Sequence, residues 1–173
     1  MKSKTEKILI VMKIVALIVF IGLCIVAGSI IISYAVSIGN PQASKDLYKG
    51  LDLSAYRQHS FLQYTLIVGY KALLQITQAY IAYLIIHLLS NLNISSPFNP
   101  DVVRLMEKIS YAIVWVWLIS IIHNIHIAIL EKNFGITATY VSNDSIFLAG
   151  IVYVLVKMFK RGAEIQSENE LTV

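Results

Sequence analysis

The run from Ile14 to Ile38 carries no charged side chain over 25 residues. Wound as an α-helix it is about 37 Å long, enough to cross the roughly 30 Å hydrocarbon core of a bilayer. Few folds are open to a chain with such a run. In lipid every backbone N–H and C=O must be bonded internally, which a helix does alone and strands do only in a closed barrel. Lys2, Lys4, Lys7 and Lys13 form a basic flank ahead of it. A secretory signal peptide has a shorter apolar core and a small-residue cleavage site, so the run reads as a retained first span.

The remainder repeats the theme. With 57% hydrophobic and 14% charged residues, the 173-residue chain has too little polar surface to cover a soluble globule. Gly39-Asn40-Pro41 stops the first helix, and roughly twenty mixed residues to Ser60 make the longest connection. Apolar stretches follow at about 61–89, 109–130 and 145–159, the last being the shortest. Asn99-Pro100-Asp101 is a helix start, with a capping side chain, a proline suited to the first turn and a carboxylate at the positive end of the dipole. Phe98 and Val103 stand where a hydrophobic staple would close it, so a helix should begin near Pro100 and run unbroken into the third span. The expected fold is all-α: a single-domain integral membrane four-helix bundle with spans at about 14–38, 61–89, 109–130 and 145–159 and a polar tail over 160–173.

Orientation follows from lysine and arginine. With the N-terminus inside, Lys2, Lys4, Lys7, Lys13, Arg104, Lys108, Lys157, Lys160 and Arg161 share one side, against Lys45, Lys49, Arg57 and Lys132 on the other. That bias puts both termini in the cytoplasm of a multi-pass cell-membrane protein. The net charge of +4, which in a soluble protein would suggest nucleic acid, is a topology signal here, and no direct nucleic-acid partner is expected. The single cysteine, Cys24, cannot form an internal disulfide.

Candidate functional residues are the polar ones within apolar runs. Lys71, Gln75 and Gln78 share one helical face, with Lys71 about ten residues deep. A charge facing lipid there costs at least a few kcal/mol, so Lys71 should face the bundle, a wet cavity or a carboxylate. Ser29, Ser33 and Ser37 form a small-residue stripe suited to close helix packing. Ser120, His123, Asn124 and His126 end the third span. All fall in the middle or outer half, which predicts an outward-opening pocket between spans one, two and three, lined by Lys71, Gln75, Gln78, Ser120, His123 and Asn124. His123 and His126, at i and i+3, could share a metal with help from Glu131 and His59, but two histidines near a helix end are more often hydrogen-bonding groups. No metal and no cofactor is therefore expected. Nor is an enzyme: the chain has no glycine-rich phosphate loop, nucleophile elbow, H-E-x-x-H or intramembrane carboxylate pair.

The terminal pattern Phe159-Lys160-Arg161-Gly162, Ile165-Gln166, Glu168-Asn169-Glu170-Leu171-Thr172-Val173 and the Pro97-Phe98 pair resemble the bacterial membrane family catalogued as domain of unknown function 2975. The resemblance covers nearly the whole length, with aspartate usual where Glu170 stands. It implies four spans and no assigned activity. It also implies a small helix-turn-helix DNA-binding protein as soluble partner, because members look to be encoded beside one. The expected function is that of a regulatory or sensory membrane protein whose cytoplasmic face, 97–108 and 157–173, binds such a regulator. Pro97, Phe98, Arg161, Gly162, Glu168, Glu170, Leu171, Thr172 and Val173 are the docking candidates. The alternative is a small transporter, channel or immunity-type protein working through the pocket around Lys71, with the lipid bilayer as its medium and a homo-oligomer left open.

Overall fold

The computed structural model describes residues 4–92, 99–136 and 140–170, with only the backbone of Lys4, Asn169 and Glu170. Five α-helices account for most of it: α1 (Lys4–Gly39), α2 (Ser54–His59), α3 (Phe61–Asn91), α4 (Pro100–Phe134) and α5 (Ser145–Glu170), with a 3-10 turn at Pro41–Lys45.

Local chemistry sets several of the boundaries. Asn99 caps α4 as expected: its Oδ1 accepts from the Asp101 amide at 2.8 Å, and Pro100 takes the first helical position. At the other end Gly135 adopts φ +66°, a left-handed conformation that side chains disfavour, and its N–H reaches the Glu131 carbonyl at 2.9 Å. Asn40 ends α1 and caps the 3-10 turn, accepting from the Gln42 amide at 3.1 Å.

Among the described residues α1 packs on α3, α3 on α4 and α4 on α5, and no backbone contact joins α1 to α4 or α5. The arrangement of the expected all-helical fold is an open row of antiparallel helices. The reason lies in α1, where only Ala27, Ile30 and Ser37 are buried while fifteen large apolar side chains face outward. In water that would be ruinous, whereas lipid tails are as apolar as leucine and α1 needs only one packed face.

The connection from 40 to 60, expected to be irregular, is instead a packed cap. Leu47, Leu53 and Tyr56 are buried together with Ile30, Tyr64, Ile67, Leu130 and Ile136, so the cap joins the ends of α1, α3 and α4. Backbone bonds hold it: Leu53 N–H to the Ser44 carbonyl at 2.9 Å and Leu47 N–H to the Leu51 carbonyl at 3.0 Å.

Among the described residues three helices are long and apolar enough to cross a membrane: Thr5–Gly39, Phe61–Asn91 and Pro100–Phe134. The stretch expected as a fourth span, 145–159, lies within α5, which is not among these three. Ala149 packs with Ile109 and Ile113, and Val156 with Val102 and Met106, so α5 runs antiparallel to the first half of α4. Extrapolating one turn back places Ser145 level with about residue 116, midway along α4. Its apolar stretch Ile146–Val156 measures about 16 Å, roughly half a bilayer. The segment before it descends along α4: Val141 lies against Leu74, Val116 and Ile119. The N-terminal end of α1 and the C-terminal end of α5 thus share one end of the row.

Candidate functional site

The polar residues of α3 and α4 meet at the level where α5 begins. Tyr70 stands edge-on to both His123 and His126, with ring centroids 6.0 and 5.8 Å away, and Leu74 packs one turn further against Val116 and Ile119. Lys71 lies between these contacts, level with Ser120–His123. It is half-buried and, among the described residues, has no hydrogen bond or ion pair.

Asn124 organises the α4 side. Its Oδ1 accepts the Val141 N–H at 2.9 Å and its Nδ2 donates to the Val141 carbonyl at 2.7 Å. One amide thereby satisfies both backbone groups of a non-helical residue set alongside a membrane helix, the condition on which such backbone is tolerated there. The same two bonds fix which end of the Asn124 amide is oxygen. His123 Nδ1, 3.3 Å from that oxygen, must therefore be the donor. His123 Nε2 is then a lone pair, buried without a partner among the described residues.

His126 repeats the arrangement across the helix pair. Its Nε2 stands 2.5 Å from the Gln63 Oε1 of α3, which leaves Nδ1 as a second buried lone pair. The site therefore presents two unsatisfied imidazole acceptors, a tyrosine edge and an ammonium within one layer. Chemically, each imidazole can accept a proton or a hydrogen bond. Tyr70 also lines an apolar groove of about 580 Å³ between α3 and α4, with Leu73, Thr77, Tyr80, Trp115 and Ile119.

The other expected site residues distribute differently. Ser120 is buried and donates to the Val116 carbonyl at 2.8 Å, a bond within its own helix that leaves it a packing residue. Gln75 and Gln78 are half-buried on the face of α3 opposite its exposed stripe Leu62, Leu66, Leu73, Ile76, Tyr80 and Tyr83. Glu131 accepts the Tyr140 hydroxyl at 2.6 Å and the His59 ring sits 4.1 Å from that of Phe134, so neither joins the histidine pair. No group of three or more His, Cys, Asp or Glu side chains gathers among the described residues. Sequence reasoning missed Gln63, Tyr70 and the Asn124–Val141 clamp. A second polar seam, also missed, joins α1 to α3: buried Ser37 meets the Tyr64 hydroxyl at 2.7 Å, and Tyr34 meets Thr65 at 2.9 Å. Of the docking candidates, Arg161 pairs with Glu164 at 3.0 Å on the exposed side of α5, Gly162 is half-buried and Glu168 exposed. Pro97, Phe98, Leu171, Thr172, Val173 and the Glu170 side chain lie outside the described residues.

Comparison with known proteins places this layout in a family. The model of "Protein of unknown function (DUF2975)" matches residues 47–173, which takes in the cap after its 3-10 turn, α3, α4 and α5. The chain belongs to that family. The match is shorter than the near-complete coverage expected, since α1 precedes it, although α1 packs along α3 as closely as any helix in the structure. No curated protein and no solved structure matches the chain.

Proposed function

We propose that the chain is a regulatory protein of the cell membrane. In this reading the polar layer around Lys71, His123 and His126 senses a condition on the outer side, and α5 carries the response to a small cytoplasmic helix-turn-helix regulator. The observation that carries it is the continuity of α5. One helix of 26 residues, about 39 Å, begins beside the Asn124-clamped segment and ends at Glu170, beyond the level where α4 starts. Any change that loosens Val141 from Asn124 acts on the first turn of this rod. The exposed side chains Ser142, Asn143 and Asp144 at that level support access of water to the layer from outside.

The basic bias supports placing the shared end of α1 and α5 in the cytoplasm, with Arg161, Gly162 and Glu168 on the docking surface. A single-chain conduit is less favoured, because the inner half packs Leu84, Ile109, Ile113 and Ala149, then Val102, Met106 and Val156, without a polar path between them. The test is a pull-down from native membranes with an N-terminal tag, comparing the full chain with one cut after Gly162. Recovery of a small helix-turn-helix protein by the full chain alone supports the reading. Its equal recovery by both forms, or by neither, refutes the docking role of α5.

A further inference from the structure

A recess opens at the cap end of the molecule. Its walls are the 3-10 turn Pro41–Lys45, the short helix α2 and the start of α3, and it encloses about 540 Å³. Two cations line it, Lys45 and Arg57, together with the neutral donors Gln42 and Gln58 and with Ser54, whose amide is already given to Asp52, and no carboxylate is among the lining residues. The described ion pairs are Arg104–Asp101 and Arg161–Glu164, so neither cation is neutralised by one.

Arg57 is held in place without being used up. Its guanidinium lies over the Phe61 and Tyr64 rings at 5.3 and 5.6 Å, and Nη2 donates to the Ile38 carbonyl at 3.4 Å. Nη1 is buried with no acceptor among the described residues. Buried N–H groups ordinarily find an acceptor, and the planar fork of a guanidinium fixed in place suits phosphate. Two acidic groups stand near the recess without lining it. Asp52 accepts from the Ser54 amide at 2.8 Å, and its carboxyl is held below the usual range by the hydrogen bonds from Ser54 and then by Lys45. Asp46 accepts from the Gly50 amide at 2.9 Å.

The position adds a second argument. The recess opens at the end of the apolar run of α1, beside exposed Ile38, Phe61 and Leu62. An occupant there has its charge in the recess and apolar surface next to it, which is the form of a phospholipid. The volume also exceeds what one inorganic anion fills. We infer that this recess binds a phosphate-bearing anion, and that the anion is the headgroup of an acidic phospholipid, with its phosphodiester on Arg57 and Lys45.

The experiment uses the full chain in mild detergent with three probes: phosphatidylglycerol, phosphatidylcholine of the same acyl chains, and inorganic phosphate. Thermal midpoints and lipid adducts in native mass spectra are read for the unaltered protein, Lys45→Gln, Arg57→Lys and, as a control outside the recess, Lys49→Gln. Phosphatidylglycerol is expected to raise the midpoint and persist as an adduct where phosphatidylcholine does not. Lys45→Gln should weaken binding about fivefold, the worth of one cation at an anionic headgroup, with Lys49→Gln unchanged. Arg57→Lys keeps the charge but loses the fork, and should weaken binding while still folding. A response to inorganic phosphate equal to that of phosphatidylglycerol overturns the lipid as occupant. Equal response to both lipids, or equal loss in Lys45→Gln and Lys49→Gln, overturns the site.

Discussion

Replacing Asn124 by alanine removes one side chain and strands two backbone groups. The Val141 N–H and C=O lose partners at 2.9 and 2.7 Å, in a segment packed against Val116 and Ile119. An orphaned buried polar group costs about 1–3 kcal/mol, so two cost about 2–6 kcal/mol. Val141 is half-buried and relaxation recovers part of this, which favours the lower end, about 2–3 kcal/mol. In an opening equilibrium that is a factor of about 30–150. Because the loss is local, it should appear as faster amide hydrogen exchange over 140–147 in full-length protein held in nanodiscs, with peptides from the α1–α3 seam unchanged. The reasoning is refuted if the Asn124→Ala chain exchanges over 140–147 at the unaltered rate, or if that segment is already unprotected in the parent.

Three further outcomes follow from particular contacts. Gln63→Leu takes the only partner from His126 Nε2 across the α3–α4 seam and should cost about 0.5–2 kcal/mol, measured as a lowered thermal midpoint that His126→Phe in the same chain partly restores. Tyr64→Phe and Ser37→Ala each break the buried α1–α3 hydroxyl pair, at about 1 kcal/mol apiece, and the double variant should cost less than their sum. Gly135→Ala forces a side chain into φ +66° at the end of α4, with space around it but a strained backbone, and should destabilise by about 1 kcal/mol in the same assay.

The features legible in the sequence were those set by local chemistry. Asn99-Pro100-Asp101 announces the start of α4, and an apolar run without charge announces α1 before any neighbour is known. The apolar stretch at 145–159 is legible in the sequence as the shortest of the four. What gives that shortness its meaning is the depth at which α5 starts, and that depends on Asn124 reaching a backbone 17 residues away. The polar residues of α4 were found as a cluster, while their partners Gln63 and Tyr70 were not. Nothing in the local pattern ties Gln63 to His126, which lies 63 positions on. The cap escaped notice for a similar reason. Leu47, Leu53 and Tyr56 have no helical or strand period, and their burial is a property of the three helix ends they cover. The open row was likewise hidden, since hydropathy says that a helix meets lipid and not which helix it meets.

The central claim is that α5 starts midway down α4, within reach of the outer solution, and returns to the side where α1 begins. Two-sided thiol labelling tests it directly on a Cys24→Ala background. Single cysteines replace Ser142 and Glu164, both exposed, and a membrane-impermeant maleimide is applied to intact cells and then to permeabilised ones. Ser142→Cys should react in intact cells and Glu164→Cys only after permeabilisation. Reaction of Glu164→Cys in intact cells, or protection of Ser142→Cys from both sides, contradicts the account.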